Sequence, residues 1–205
     1  MSIVYILVNE SMPGYIKIGR TSTSVEQRMR ELDKTSVPLP FQCYYAARVE
    51  DDQTLERTLH AAFGDHRVRQ SREFFKLDPY KARVVIELLA IEDVTPRSDV
   101  FEDEESEIAV QQATRNTGRY NFSENGIPVG SVLEYVSDRS ITCTVNDESS
   151  VLFSGQVVSP SRAAVLANTQ RGGTATALSG TISWLYSGET LFSIREQQIS
   201  SGIED

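Results

Sequence analysis

The segment VYILVNESMPGYIKIGRT (residues 4–21) decides the fold of the first half of the chain. It begins with apolar and β-branched residues, which favour a strand, and it ends in a second apolar run, YIKIG. Between them, NESMPG ends in Pro13 and Gly14, which are typical of a turn. The segment therefore predicts a β-hairpin. Lys17 and Arg20 lie in and directly after its second strand. A hairpin does not need two cations there, which suggests a functional role for them.

The residues after the hairpin extend the predicted order to β-β-α-β-α-α, up to residue 95. TSTSVEQRMREL (21–32) predicts a helix, because Ser24 and Gln27 have capping-box spacing and apolar residues recur at helical intervals. The remaining elements are predicted from their apolar periodicity and caps: a strand FQCYYAARV (41–49), a helix DDQTLERTLHAAF (51–63) capped by Asp51 or Asp52, an extended SREFFKL (71–77), and a last helix DPYKARVVIELLAIED (78–93).

The acidic segment SDVFEDEESEIAV (98–110) marks a predicted boundary. Like charges repel and stay solvated, so we interpret residues 96–120 as a linker. The alternative is an acidic helix that covers a basic face of the first domain. The chain would then comprise a domain over residues 1–95, this linker, and a second domain over residues 121–205.

The predicted fold class is α/β of the α+β type. The first domain is expected to hold a three-stranded sheet flanked by helices. The second domain shows short alternating apolar and polar runs with one clear helix, SPSRAAVLANTQ (159–170), so we expect a small, mostly-β domain with one helix.

The composition predicts a cytoplasmic protein with no membrane partner. Charged residues make up 24% of the 205 residues, and no apolar run approaches the length of a membrane span. The first residues, MSIVYILVNE, predict a strand rather than a signal peptide. Cys43 and Cys143 lie far apart in strand-like runs, so we interpret them as buried thiols rather than a disulfide or a metal pair.

The net charge of −9 is unevenly distributed along the chain. Residues 1–95 carry 13 Lys and Arg against 14 Asp and Glu, whereas residues 96–205 carry 7 against 15. The first part can therefore carry a local basic patch. Local positive potential, rather than net charge, is what attracts a phosphate backbone. An ordinary acidic protein with no such patch is the alternative.

Residues 2–92 resemble the GIY-YIG nuclease superfamily. IVY (3–5) stands at the first motif and KIG (17–19) at the second, Arg28 matches the arginine of the following helix, and Glu56 matches the metal-binding glutamate of a later helix. The chain is also similar to a variant branch of this superfamily that reads K-I-G, then E-x-x-x-H, here ending at His60, then REFF. Two positions depart from the main pattern, Ile3 and Lys17, and the variant branch shares the lysine.

The resemblance implies metal-dependent hydrolysis of phosphodiester bonds with Mg²⁺, or Mn²⁺, held by Glu56. It implies that Tyr5 activates water with help from Lys17 or His60, and that Arg28 binds the phosphate. Strand alternation places residues 15, 17 and 19 on the face of Tyr5, so we expect Lys17 to lower the pKa of the Tyr5 phenol.

Further cations are predicted to contact the nucleic acid: Arg20, Arg67, Arg69 and Arg72. Glu73 is expected to orient Arg28 or Lys17, or to pair with Arg72.

Taken singly, each candidate also has an ordinary structural interpretation. Tyr5 suits a strand interior, Lys17 suits a hairpin surface, and Glu56 suits an exposed helix. Arg28 could pair with Glu31 or Glu26, and His60 could pack against the phenylalanines at 74–75. The ordered set at family spacing is what favours the nuclease.

The second domain resembles a small domain of the restriction-enzyme adenine-methylase-associated type. This resemblance depends on three segments: GIPVGSVLEYV (126–136), ITCTVNDESSVLFSGQVVSPSRAA (141–164) and TISWLYSGETLFSI (181–194). It implies that the domain reads DNA, including modified DNA. Its acidic balance opposes tight binding to phosphates, so contact with a protein partner is the alternative.

The sequence therefore predicts an endonuclease acting on DNA, in DNA metabolism or in defence against foreign DNA such as phage DNA. One site cuts one strand, so a homodimer is also considered. Two alternatives stay open: a catalytically inactive nucleic-acid-binding module, and an adaptor subunit of a larger defence or repair complex.

Overall fold

The computed structural model describes residues 2–101, 103–116 and 119–201, and the chain divides into two compact units, Met1–Ala113 and Thr114–Asp205. The elements of the first unit follow in chain order: β1 (Ser2–Val8), β2 (Tyr15–Thr21), α1 (Val25–Leu32), β3 (Gln42–Val49), α2 (Asp52–Ala62), β4 (Phe74–Lys76), α3 (Pro79–Glu87), β5 (Glu92–Asp93) and α4 (Glu104–Asn116). The unit boundary falls within α4.

The described strands of the first unit form one antiparallel sheet in the order β4-β2-β1-β3-β5. The three predicted strands are confirmed as its centre, and β4 and β5 extend it to five. The prediction that the last helix continues to residue 93 is wrong. After α3 the chain pairs with β3 instead, where Ile91 N donates to Arg48 O at 2.9 Å and Val94 N donates to Ala46 O at 2.9 Å.

β1 is buried on both faces because helices cover the sheet on both sides. Its odd residues, including Tyr5, pack in one cluster with Val25 and Met29 of α1. Its even residues pack on the opposite face with Leu55 and Leu59 of α2 and with residues of α3. Alternation along β1 thus decides which side chains share a face with α1 and which with α2.

The predicted turn and caps are confirmed. Gly14 has φ 81°, a conformation that glycine adopts without steric cost. The Ser24 side chain accepts from Gln27 N at 3.1 Å, and the Asp51 side chain accepts from Thr54 N at 2.9 Å. These caps fix where α1 and α2 begin.

Part of the predicted linker, Glu104–Asn116, forms α4, as the helical alternative expected; that this helix covers a basic face stays a prediction. The Asp103 side chain accepts from Ser106 N at 2.7 Å, and Glu104, Glu105 and Glu107 lie in the first turn. Carboxylates are favourable at a helix N-terminus, which offsets their mutual repulsion. Residues 102, 117 and 118 of the predicted linker lie outside the described residues.

The described strands of the second unit form an antiparallel sheet in the order β11-β10-β6-β7-β8-β9. Its elements follow in chain order: β6 (Val132–Tyr135), β7 (Asp138–Val145), β8 (Val151–Phe153), β9 (Gln156–Val158), α5 (Pro160–Gln170), α6 (Gly180–Ser183), β10 (Trp184–Tyr186), β11 (Glu189–Thr190) and α7 (Leu191–Ser201). Trp184 is fully buried in this core, and its Nε1 donates to Pro160 O at 2.9 Å.

The prediction of one helix in the second domain is wrong, because α6 and α7 lie where a strand was expected. The Thr190 hydroxyl accepts from Ser193 N at 3.0 Å and so starts α7 directly after β11. This local bond diverts LFSI from the alternating strand pattern into a helix.

Among the described residues, no helix has both the length and the apolar character needed to cross a membrane. Cys43 and Cys143 are both free thiols. Burial raises the pKa of each, that of Cys143 to about 12.

We expect Gly19→Ala to destabilise the first unit by about 1–3 kcal/mol, the range for overpacking a core. A Cβ at Gly19 would lie 2.6 Å from the Tyr5 hydroxyl oxygen, and the Tyr5 side chain is only 1% exposed and cannot move away freely. Urea unfolding measures the change. Gly64→Ala is the matched control, because no atom lies within 4 Å of its added Cβ. Equal stability of both variants would contradict the prediction.

Candidate functional site

A polar cleft of about 440 Å³ lies at the edge of the first sheet. β4 pairs only with residues 15–17 of β2. The later residues of β2 extend beyond β4, and the chain then turns into α1. The cleft is lined by side chains from several elements: Tyr5 of β1, Arg20 of β2, the Thr21–Thr23 loop, Arg28 and Glu31 of α1, Glu56 of α2, and Glu73 beside β4.

The Tyr5 ring reaches this cleft across Gly19. The two residues are direct partners in the β1–β2 ladder, and only the absence of a side chain at Gly19 leaves room for the ring. Arg28 Nε donates to the Tyr5 hydroxyl oxygen at 3.2 Å, and Arg28 Nη1 donates to Glu31 Oε2 at 2.9 Å. Of the two sequence-based alternatives for a carboxylate partner of Arg28, the structure has Glu31.

The expectation that Lys17 lowers the pKa of Tyr5 is wrong. Burial raises the pKa of the Tyr5 phenol, and the hydrogen bond and charge of Arg28 only partly oppose this effect. Lys17 shares the face of Tyr5, as predicted, but the cation at the Tyr5 oxygen is Arg28. The phenol therefore keeps its proton near neutral pH.

Lys17 lies behind the cleft rather than in it. Its side chain is 8% exposed, its ammonium donates to Glu73 Oε2, and it lies 5.6 Å from the centre of the Phe74 ring. Glu73, whose side chain is 40% exposed, lines the cleft. Burial raises the pKa of Glu73, but Lys17, His60 and Arg28 outweigh burial and lower it, so Glu73 is ionised at neutral pH. Glu73 was expected to orient Arg28 or Lys17, or to pair with Arg72; in the structure it pairs with Lys17.

Arg20 joins two carboxylates of α2. Its Nε donates to Glu56 Oε2 at 3.0 Å and its Nη1 donates to Asp52 Oδ2 at 2.9 Å. Sequence reasoning named Arg20 and Glu56 but missed their pairing and the part of Asp52. The spacing of Asp52 and Glu56, one helical turn apart, was the available signal.

His60 packs against the sheet and is not among the residues that line the cleft. Its Nε2 donates to Ile18 O at 3.2 Å, and its ring centre lies 5.1 Å from that of Phe75. This is the packing alternative considered from the sequence.

The three arginines of the loop before β4 also lie away from the cleft lining. Arg67 Nε donates to Arg72 O at 2.7 Å, and its guanidinium lies 5.7 Å from the Phe75 ring centre. Arg69 and Arg72 are exposed. The structure thus brings together some of the predicted residues, Tyr5, Arg20, Arg28 and Glu56, and leaves others outside the cleft: Lys17, His60, Arg67, Arg69 and Arg72.

The donors in the cleft suit a hard divalent cation. Glu56, Glu73 and Glu31 are all carboxylates, and Mg²⁺ prefers oxygen ligands and retains several waters. Within the described residues, no three His, Cys, Asp or Glu side chains come together as a ready-made metal cage. A single carboxylate with water and phosphate oxygens is the arrangement that fits.

Comparison with protein families gives one match that bears on this site. Residues 2–90 match the T5orf172 domain, which is associated with nucleases, and the matched residues include every side chain of the cleft. Residues 2–90 are therefore similar to a nuclease-associated domain, whereas their assignment to the GIY-YIG superfamily stays a prediction. Searches of curated proteins and of solved structures found no significant match to the chain.

We expect Glu73→Gln to destabilise the protein at pH 7, and the destabilisation to shrink as the pH falls below the unfolded pKa of a glutamate towards the lower folded-state pKa of Glu73. The folded-state pKa of Glu73 is lowered, so its ion pair with Lys17 stabilises the fold above the unfolded pKa of about 4.3. That contribution is lost as the pH falls through the folded pKa. Urea midpoints of wild type and variant at pH 7, at pH 5 and at about pH 3 measure the difference.

The matched control is Glu92→Gln, which breaks an exposed pair with Arg48. Exposed pairs contribute little, so its midpoint should stay near that of the wild type throughout. A Glu73→Gln deficit that does not depend on pH would contradict the assignment.

Proposed function

We propose that the first unit is a metal-dependent endonuclease that hydrolyses phosphodiester bonds of DNA. The observation that carries the proposal is the meeting of Tyr5, Arg28 and Glu56 in one cleft. They come from β1, α1 and α2, and α1 and α2 pack on opposite faces of the sheet. A phenol, a guanidinium and a carboxylate that meet in one cleft together suit a phosphate and a cation.

Arg28 is the phosphate-binding group in this proposal. Its planar guanidinium offers several donors and stabilises the negative charge that develops on phosphorus-bound oxygens. Tyr5 assists as a donor. Its oxygen already accepts from Arg28, and burial keeps its proton in place, so its hydroxyl hydrogen is directed at an acceptor such as a phosphate oxygen.

Glu56 is the residue that would hold Mg²⁺ or Mn²⁺, with Arg20 and Asp52 fixing the carboxylate. When bound, the cation would polarise the phosphoryl oxygens and offset their charge.

The substrate and setting follow from the resemblance and remain part of the proposal: DNA, in DNA metabolism or in defence against foreign DNA. The exposed Arg69 and Arg72 would add contacts to the backbone beyond the cleft. The second unit would supply targeting, by reading DNA or by binding a protein partner, and a homodimer would supply the second site needed for a double-strand break.

A second candidate function is nucleic-acid binding without cleavage. One argument for it is the ion pair between Arg20 and Glu56, because the proposed metal ligand already has a cationic partner. The other is Lys17, which stands at the position where the resembled superfamily has a tyrosine.

Cleavage of labelled single- and double-stranded DNA and RNA, with Mg²⁺, Mn²⁺ or EDTA, tests the proposal. We expect cleavage that requires metal, is abolished in Glu56→Gln, and falls about 10²–10³-fold in Arg28→Ala. Arg30→Ala, an exposed arginine on the same helix, is the matched control and should cleave like the wild type.

Three outcomes would contradict parts of this proposal. Cleavage that persists in EDTA would contradict its dependence on metal, and cleavage that persists in Glu56→Gln would exclude Glu56 as the metal ligand. Binding without cleavage of any substrate would favour the second candidate.

A further inference from the structure

We propose that Glu73 is the base that removes the proton from the attacking water, and that Lys17 positions it. This inference rests on the proposed nuclease function. The sequence motifs direct attention to Tyr5, Lys17 and His60 for this step, whereas the contacts in the cleft favour Glu73.

Glu73 is held at the right place by the backbone. Its carbonyl oxygen accepts from Ile18 N at 3.2 Å, which fixes it beside the middle of β2, next to Gly19. From there its side chain, which is 40% exposed, lines the same cleft as Tyr5, Arg28 and Glu56. A water that attacks a phosphate bound by Arg28 would therefore lie among these groups.

Lys17 fixes the Glu73 carboxylate from behind. Its ammonium is almost fully buried and donates to Oε2, so the carboxylate retains a second oxygen that can accept a proton. Because Lys17 acts through Glu73, it is a positioning residue.

The other candidates are poorly suited to accept a proton. The Tyr5 oxygen accepts from Arg28, and burial raises the pKa of the phenol, so its ionised form is scarce at neutral pH. His60 uses Nε2 to donate to Ile18 O and does not line the cleft. Glu73 is ionised at neutral pH, since its pKa is lowered.

The step balances without a further reactant. The water oxygen forms a bond to phosphorus while its proton moves to the Glu73 carboxylate. The bond from phosphorus to the leaving ester oxygen breaks, its electron pair stays on that oxygen, and the oxygen takes a proton from solvent. Glu73 then returns its proton to solvent, and the products are a phosphate monoester and an alcohol.

The pH dependence of single-turnover cleavage at saturating Mg²⁺ distinguishes the two bases. A base with a lowered carboxylate pKa is fully ionised from pH 6 to 8, so the wild-type rate should be flat there. A phenolate with a pKa above 10 would give a rate that rises about tenfold per pH unit. A rise of that size in the wild type would overturn the assignment to Glu73.

The key variant is Glu73→Gln, which keeps an oxygen to accept from Lys17. We expect a fall of about 10²–10⁴-fold in rate, retained DNA binding, and a residual rate that increases with pH as hydroxide replaces the base. Glu92→Gln, a carboxylate of the same sheet paired with Arg48 outside the cleft, should match the wild type.

A double variant separates loss of activity from loss of folding. Lys17→Met combined with Glu73→Gln leaves no unpaired buried ammonium, so it should fold, as measured by circular dichroism, and remain inactive. Lys17→Met alone keeps the carboxylate and should lose less activity than Glu73→Gln.

Different results would overturn the role of Glu73 and the nuclease function. If Glu56→Gln is inactive but Glu73→Gln keeps the wild-type rate and pH profile, the nuclease stands and the role of Glu73 is wrong. If the wild type cleaves no substrate under any metal condition, both are overturned.

Discussion

The contact of the Tyr5 ring with Gly19 is the constraint on which the rest of the site depends. Tyr5 belongs to the central strand of the sheet and would otherwise be an ordinary core aromatic. Because its ladder partner has no side chain, the ring crosses that position and brings its hydroxyl to the cleft. Arg28 reaches the cleft by donating to this hydroxyl, so a single glycine links the packing of the sheet to the chemistry of its edge.

The electrostatics of the cleft differ from a simple basic patch. Its cations are paired with carboxylates: Arg28 with Glu31, and Arg20 with Glu56 and Asp52. With two arginines and three glutamates lining it, the cleft has a net negative charge, so a phosphate backbone would be repelled and would compete with these ion pairs. A divalent cation at Glu56 would shift the balance towards phosphate binding, which makes metal and substrate binding mutually supporting in the proposed function.

The helix starts were predictable from the sequence because capping is a local interaction. Ser24 and Asp51 bond to backbone groups three residues away, within reach of a sequence pattern. The end of α3 was not predictable in the same way, because it depends on pairing with β3, a strand far away in sequence. The start of α7 is also a local cap, by Thr190, but the alternating apolar pattern of the segment that follows favoured a strand.

The sequence by itself determined the hairpin, its turn, and the order of the residues that form the site. Alternation along β1 and β2 also determined that Tyr5 and Lys17 share a face. Only the tertiary structure decided which of them enters the cleft and which cation contacts which group. Lys17 meets a carboxylate 56 residues away, and the pKa of Tyr5 depends on the helix packed over it. The physical reason is that periodicity gives the face of a strand, whereas partners and desolvation depend on distant segments that meet only in the folded chain.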